Sequence, residues 1–194
     1  RPCEENCRRA NLDASVSIKY LKRFVADEEL AKHKGPAYEI VPSAKTGKVA
    51  IVGAGPAGVT CAYHLALKGH DVTLYEHLPE PGGMSAVGIP DYRLPRAILR
   101  QEVQQIQKMG VTIHYNTTVG KDITLQQLEN DFDAVFIGIG AQDSTSMRVE
   151  GEEKGYQGFI PGVQYLLDIN QGRDPYPEGR KVVVIGGGNV AIDC

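Results

Sequence analysis

Three glycines at positions 53, 55 and 58 form the pattern Gly-x-Gly-x-x-Gly, directly after an apolar segment at residues 48–52. In such a turn the first glycine permits a tight bend, the second lets the backbone approach a pyrophosphate, and the third allows close helix–strand packing. Glu76 ends the next predicted strand, near the roughly 20-residue spacing expected for an acid that accepts hydrogen bonds from ribose hydroxyls. The pattern predicts a dinucleotide site; the simpler alternative is a glycine-rich turn followed by a solvated acid. The predicted site consists of Gly53, Ala54, Gly55, Pro56, Ala57, Gly58 and Glu76.

A second glycine turn follows another apolar segment, at residues 181–185. Its pattern is Gly-x-Gly-x-x-Ala, in which a small alanine still permits a helix to pack closely on a strand. The turn predicts a second dinucleotide site at Gly186, Gly188, Asn189, Val190 and Ala191. The alternative is a glycine turn in a core that binds no ligand.

Two thiols, Cys3 and Cys7, are spaced so that they would share one face of a helix. Two thiolates cannot hold a cubane iron–sulfur cluster, which takes four cysteines. On the residues alone, a pair of reduced structural or surface cysteines is the alternative. The histidines have no metal-ligand spacing, and the sequence identifies no catalytic acid, base or nucleophile.

Apolar segments alternate with helical ones along the rest of the chain. Strands are predicted at residues 48–52, 71–76, 111–115, 134–139 and 181–185, and helices at 59–68, 97–109 and 163–170. Thr124 and Gln127 have the spacing of a capping box, residues 77–96 are predicted to be a loop, and Ser15 is a candidate helix cap within residues 1–34. Buried strands alternating with helices are typical of a parallel sheet covered on both faces, so the predicted fold class is α/β and Rossmann-like.

The composition excludes several classes of function. The 194 residues carry 21 Lys+Arg against 24 Asp+Glu, so there is no basic excess to bind nucleic acid or an anionic membrane. No apolar stretch approaches the roughly 20 residues that insert across a membrane. The four cysteines give no disulfide framework, and the cytoplasm is the expected compartment.

Residues 47–95 resemble flavoproteins with two dinucleotide-binding domains. These are the small subunit of glutamate synthase, the amino-terminal half of dihydropyrimidine dehydrogenase, and the flavoprotein subunit of electron-bifurcating ferredoxin:NADP oxidoreductases. The likeness covers nearly the whole chain. It rests on the first glycine turn, Glu76, the pair Gly82-Gly83, the segment GIPDYRLP at 88–95 and the segment FIGIGA at 136–141.

The resemblance implies FAD at the first glycine turn and further cofactor contacts at Gly82, Gly83, Met84, Arg93, Val119, Gly138 and Gly140. The segment Gly82-Gly83-Met84 would pass beneath the flavin side of the cofactor. Arg93 would reach the flavin or its phosphates, and Val119 would meet the adenine through its backbone. Gly138 and Gly140 would lie near the pyrophosphate. The alternatives are a core residue for Met84, a surface residue for Arg93 and a plain turn for the glycine pair.

The resemblance also implies what would bind at the second glycine turn and at the cysteine pair. The second glycine turn would hold NADH or NADPH in a domain inserted into the FAD domain, with the preference between them left open. Pro2-Cys3-Glu4-x-x-Cys7 resembles part of a [4Fe–4S] site, which implies metal ligation by Cys3 and Cys7 with the ligand set completed outside this chain. The expected parts are a helical iron–sulfur segment at 1–34, a linker at 35–47, a FAD-binding domain at 48–180 and the start of an NAD(P)-binding domain at 181–194.

The function that these likenesses imply is a flavoprotein oxidoreductase, as part of a longer chain or complex. It would pass electrons between NAD(P)H and FAD and on through iron–sulfur clusters to a partner domain or subunit. One alternative is a non-catalytic FAD relay or structural module within a larger redox complex. Another is a Rossmann protein that binds NAD(P) at the first turn.

Overall fold

A computed structural model describes residues 1–32, 47–173, 176, 179 and 181–194. The chain divides into two units, Arg1–Ala37 and Tyr38–Cys194, and each is described by itself. Apart from Gly47, the predicted linker at 35–47 falls outside the described residues.

All secondary-structure elements in the described residues of the first unit are helices. They are α1 (Pro2–Glu5), a 3₁₀ helix (Arg8–Asn11) and α2 (Ile18–Lys32). The expectation that Ser15 caps the long helix is wrong, because α2 begins only at Ile18 and Ser15 lies too far before it to reach the first free amides.

The second unit is built on four strands. These are β1 (Lys48–Val52), β2 (Asp71–Tyr75), β3 (Thr112–His114) and β4 (Ala134–Ile137). The described residues form one sheet in the order β3-β2-β1-β4, and every neighbouring pair is parallel. The predicted α/β class with a parallel sheet is confirmed.

Six helices accompany these strands in the described part of the second unit. They are α3 (Pro56–Leu67), α4 (Met84–Val87), α5 (Arg96–Lys108), α6 (Leu125–Asp131), α7 (Gly162–Asn170) and α8 (Asn189–Asp193), with a 3₁₀ turn at Glu152–Lys154. The predicted capping box is present, since the Thr124 hydroxyl accepts from the Gln127 amide and the Gln127 side chain accepts from the Thr124 amide. The short helix α4 interrupts the segment that was predicted to be a loop.

The sheet carries a hydrophobic core on each face. On one face Ile51 and Leu74, both fully buried, pack with Ala62 and Ala66 of α3. On the other face Ala50 and Val52 pack with Leu128 of α6. Alanines one turn apart let α3 lie close to β1 and β2, so the start of that helix is held directly above the end of β1.

Two segments differ from the expectation of buried strands. β4 ends at Ile137 rather than residue 139, and Phe136 and Ile137 are 38% and 57% exposed. Among the described strands β4 pairs only with β1, so it lies at an edge where less of its surface is covered. Residues 181–185 form no strand, and Val183 is 84% exposed, because no described strand lies beside this segment to pair with its backbone.

None of the helices formed by the described residues is long and apolar enough to cross a membrane.

Candidate functional site: a cleft at the carboxyl ends of the strands

A cleft of about 370 Å³ opens where β1, β2 and β4 end. Parallel strands deliver their carboxyl ends to one edge of the sheet, and ligands of open α/β sheets bind there. The cleft brings together most of the predicted cofactor contacts, namely Gly53, Gly55, Pro56, Ala57, Glu76, Gly83, Met84, Val119, Gly138 and Gly140. Ala54 and Gly58 are buried behind it.

The first glycine turn is packed so tightly that two of its glycines have no room for a side chain. Gly53 has a φ of +96°, and a Cβ placed there would lie 2.6 Å from the Gly138 carbonyl oxygen. A Cβ at Gly58 would lie 1.9 Å from the Gly53 oxygen, inside the turn itself. The protein therefore requires glycine at both positions whether or not a ligand binds.

Gly55 differs, because no contact with the described residues demands a glycine there. It is extended, with φ −71° and ψ 179°, and it precedes the first residue of α3. A Cβ at Gly55 would meet only the Gly83 Cα, at an ordinary distance of 3.8 Å. The missing side chain leaves open space in the cleft at the amino end of α3, where backbone amides and the helix dipole favour a phosphate.

Glu76 is almost completely buried, at 2% exposure, although it lines the cleft. Its Oε2 accepts from the Ala54 amide at 2.7 Å and its Oε1 from the Leu78 amide at 2.9 Å. His77 Nδ1 lies 2.9 Å from the same Oε1. Oε2 has one partner and keeps a further acceptor position, so Glu76 can brace the glycine turn and still accept a ribose hydroxyl.

The loop before α5 is joined to the first turn through its backbone, and its own conformation is fixed by an arginine that the sequence did not single out. The Gly82 amide donates to the Ala54 carbonyl at 2.8 Å. Arg96, only 8% exposed, donates from Nη1 to the Ser85 carbonyl at 3.0 Å and from Nη2 to the Ile89 carbonyl. Burial lowers the pKa of Arg96 from its usual value. Arg96 thereby fixes the segment that follows Gly83 and Met84.

Sequence reasoning missed further residues of the cleft wall. They are Tyr75, His77, Thr117, Thr118, Ile139, Gln142 and Asp143. Tyr75 ends β2, and the others lie in the loops that follow β2, β3 and β4, so the order of strands in a parallel sheet was the signal that could have found them. Among the described residues that line the cleft there is no Lys or Arg, so backbone amides and the α3 dipole are what face a phosphate.

A second cleft of about 380 Å³ adjoins the first, with which it shares Met84, Gln142 and Asp143. Its other wall comes from α4 and α7, including Val87, Val163 and Leu167. Met84 thus lies where the two clefts meet, which is compatible with its predicted place beside the flavin.

Arg93 is not among the cleft-lining residues. Its Nη2 lies 2.8 Å from Asp193 Oδ1 in α8. The prediction that Arg93 reaches the flavin or its phosphates therefore has no geometric support in this structure and stays a prediction.

The second glycine turn leads into a helix, as its pattern predicts. Gly186 has a φ of +132°, and Gly188 precedes α8 with φ −81° and ψ 177°. This conformation closely matches that of Gly55 before α3. A Cβ at Gly188 would meet nothing within 4 Å. Ala191 approaches Gly186, with 3.3 Å between its Cβ and one built at Gly186.

The two amino-terminal cysteines do not share a helix, contrary to the expectation from their spacing. α1 ends at Glu5, and Cys7 precedes the 3₁₀ helix with an extended backbone. Hydrogen bonds from the backbone at Val16, Arg9 and Ala10 lower the pKa of the Cys7 thiol. Nowhere in the described residues do three or more His, Cys, Asp or Glu side chains gather as a metal site would need.

A family model for pyridine nucleotide-disulphide oxidoreductases matches residues 47–194. The chain belongs to this family. The match begins just before β1 and includes both glycine turns, so the family assignment rests on the same elements that form the cleft.

Curated relatives extend the likeness over the whole chain. This chain is 51% identical over 213 residues to the NADP(+)-dependent formate dehydrogenase subunit beta of Moorella thermoacetica. It is 54% identical over 196 residues to the NADPH-Fe(3+) oxidoreductase subunit beta of Geobacter sulfurreducens. The likenesses cover 100% of this chain but only 30% and 29% of those two proteins.

A third relative bears on the expected resemblance to dihydropyrimidine dehydrogenase. The NAD-dependent dihydropyrimidine dehydrogenase subunit PreT of Escherichia coli O157:H7 is 39% identical over 193 residues, which are 98% of this chain and 45% of that one. The resemblance to that group is confirmed. The likeness to the glutamate synthase small subunit stays a prediction.

Solved structures of oxidoreductases share the fold of the second unit. FprA of Mycobacterium tuberculosis in complex with NADPH matches with a TM-score of 0.56 and 27% identity, over 65% of this chain and 29% of that chain. A 2-naphthoyl-CoA reductase complex matches with a TM-score of 0.58 and 32% identity, over 81% of this chain and 22% of that chain.

Proposed function

We propose that the chain is the FAD-binding part of an oxidoreductase that passes electrons between NAD(P)H and FAD. The observation that carries the proposal is Gly55, whose missing side chain serves no packing or backbone need and leaves open the space where a pyrophosphate would approach α3. When bound, FAD accepts a hydride from the nicotinamide and releases its electrons one at a time. Gly53 and Gly58 shape the turn, and Gly138, which packs directly against it, forms part of the cleft wall together with Gly140.

Within this site the residues position the cofactor rather than react. The Glu76 carboxylate is held by two backbone amides and keeps acceptor capacity for a ribose hydroxyl. Gly83, Met84 and Val119 would contact the remainder of FAD along the cleft. No catalytic side chain is assigned, because the transfer takes place between two cofactors.

The second glycine turn is proposed to bind NADH or NADPH through Gly186, Gly188, Asn189, Val190 and Ala191. Support comes from the matching backbone at Gly55 and Gly188 and from the family model, which spans both turns. Relatives named for NADP(+) or NADPH favour NADPH, and PreT is named for NAD.

We also propose that Cys3 and Cys7 are two ligands of a [4Fe–4S] cluster. Cys3 and Cys7 supply half of a four-thiolate set, so the other ligands would lie outside this chain. Backbone hydrogen bonds directed at Cys7 are what a thiolate bound to a cluster receives. The electrons would leave by this route to a partner domain or subunit. The relatives are named as subunits, which favours a larger complex, and we expect that complex in the cytoplasm.

The two equivalent glycines give a matched experiment in the full-length protein. Gly55→Val should yield a folded protein without flavin absorbance, because the side chain occupies the phosphate position. Gly188→Val should keep FAD but lose reduction by NADPH and NADH, whereas the parent protein is yellow and is bleached by one of them.

Circular dichroism would verify that both variants fold. A folded and fully yellow Gly55→Val protein would overturn the FAD site. A Gly188→Val protein that is bleached normally would favour the other candidate, a FAD relay in which the second turn binds no nicotinamide.

A further inference from the structure

Arg93 forms an ion pair that joins the cofactor loop to the helix of the second glycine turn. Its Nη2 lies 2.8 Å from Asp193 Oδ1, and the Tyr92 hydroxyl lies 3.5 Å from the same oxygen. The Asp193 side chain is 7% exposed and that of Arg93 is 43% exposed. A carboxylate buried to this degree depends on its partner, because an unpaired buried charge is strongly disfavoured.

The partner is itself fixed to the first glycine turn. Arg93 lies between Ile89 and Leu94, whose carbonyls accept hydrogen bonds from Arg96. That loop follows Gly83, which lines the cleft, and Gly82, whose amide donates to the Ala54 carbonyl. A short, well-anchored path therefore runs from the first turn to Arg93.

Helix α8 is also attached to α7. Val190 packs against Gly162 of α7 so closely that a Cβ at Gly162 would lie 2.8 Å from its Cγ1. The Cys194 thiol lies 3.7 Å from the Gly162 carbonyl oxygen, which accepts its weak hydrogen bond. These two contacts hold only one side of α8, a helix of five residues. The orientation of α8 relative to the FAD site therefore depends on its other attachment, the ion pair at Asp193.

We infer that the Arg93–Asp193 ion pair is a latch that sets the orientation of the second glycine turn relative to the first. The inference rests on the proposed function, in which each turn holds one of two cofactors that must meet. Arg93 is then a positioning residue and not a contact of the flavin. Because a misplacement of about 1 Å can cost on the order of 100-fold in rate, a loosened latch should slow flavin reduction without releasing FAD.

The test uses Arg93→Met and Asp193→Ala in the full-length holoprotein, each alone and both together. Arg100→Met is the matched control, because Arg100 forms a similar ion pair with Glu80, at 2.8 Å, away from α8. Two readouts are needed: the rate of flavin reduction by NADPH or NADH in stopped flow, and hydrogen exchange of the peptide that covers residues 189–194.

Each single variant should retain FAD, reduce the flavin at least about tenfold more slowly, and lose at least about tenfold of the amide protection in α8. The double variant should be no worse than either single one, because both remove the same interaction. Arg93→Lys should keep most of the protection, since it retains the charge. Arg100→Met should leave the rate and the α8 exchange unchanged.

Two results would overturn the latch. One is unchanged α8 exchange in both single variants. The other is loss of FAD from Arg93→Met but not from Asp193→Ala, which would make Arg93 a cofactor contact. If the parent protein binds no FAD or is not bleached by either nucleotide, the proposed function fails instead, and the exchange data still decide the latch.

Discussion

Glu76 should stabilise the glycine turn even when no cofactor is bound. Its carboxylate accepts from the amides of Ala54 and Leu78, residues that are 0% and 7% exposed. Glu76→Ala would leave both buried donors without their acceptor. A hydrogen bond to a charged group contributes about 1.5–3 kcal/mol, and two that share one carboxylate are not additive. We therefore expect a loss of about 3 kcal/mol in the free energy of opening this region.

Hydrogen exchange in the FAD-free protein measures that loss directly. A change of about 3 kcal/mol corresponds to roughly 100-fold faster exchange of the Ala54 and Leu78 amides. Glu76→Gln should give a smaller effect, because its amide oxygen still accepts one of the two bonds. Glu102→Ala is the control, since Glu102 is exposed on α5 and should change the stability by less than about 0.5 kcal/mol.

The effect on cofactor binding is measured separately, by titrating the apoprotein with FAD. Loss of hydrogen bonds to the ribose should weaken binding about tenfold or more. Unchanged exchange in the FAD-free Glu76→Ala protein would refute the structural role. Unchanged FAD affinity would refute the ribose contact, so each half of the reasoning can fail alone.

Two further predictions concern residues outside the first turn. Arg96→Met should leave the carbonyls of the loop before α5 without their donor and weaken FAD binding roughly tenfold. The affinity is measured by titration with FAD, with Arg100→Met as the control. Equal affinities in the two variants would contradict the anchoring role of Arg96. Cys7→Ser should lower the iron and sulfide content of the full-length protein, measured by chemical analysis, and an unchanged content would remove Cys7 from the ligand set.

The local features of the first site were readable from the sequence because they depend on short stretches of chain. The glycine spacing, the preceding strand and the acid after the next strand define a strand–turn–helix unit whose geometry follows from backbone sterics. The same holds for the capping box at Thr124 and Gln127, which needs only three residues of spacing. The parallel sheet followed from the alternation of apolar strands and helices.

Other features were decided by contacts between residues far apart in the chain. Arg93 and Arg96 are close in sequence and of the same residue type, but their surroundings differ. Arg96 is buried among loop carbonyls, whereas Arg93 pairs with Asp193. The exposure of β4 depends on which strands lie beside it. The apolar residues at 181–185 form no strand, because none of the strands in the described residues lies beside them. Local pattern specifies which residues can form a turn or a strand, whereas burial, ion pairing and sheet position depend on the partner that the fold supplies.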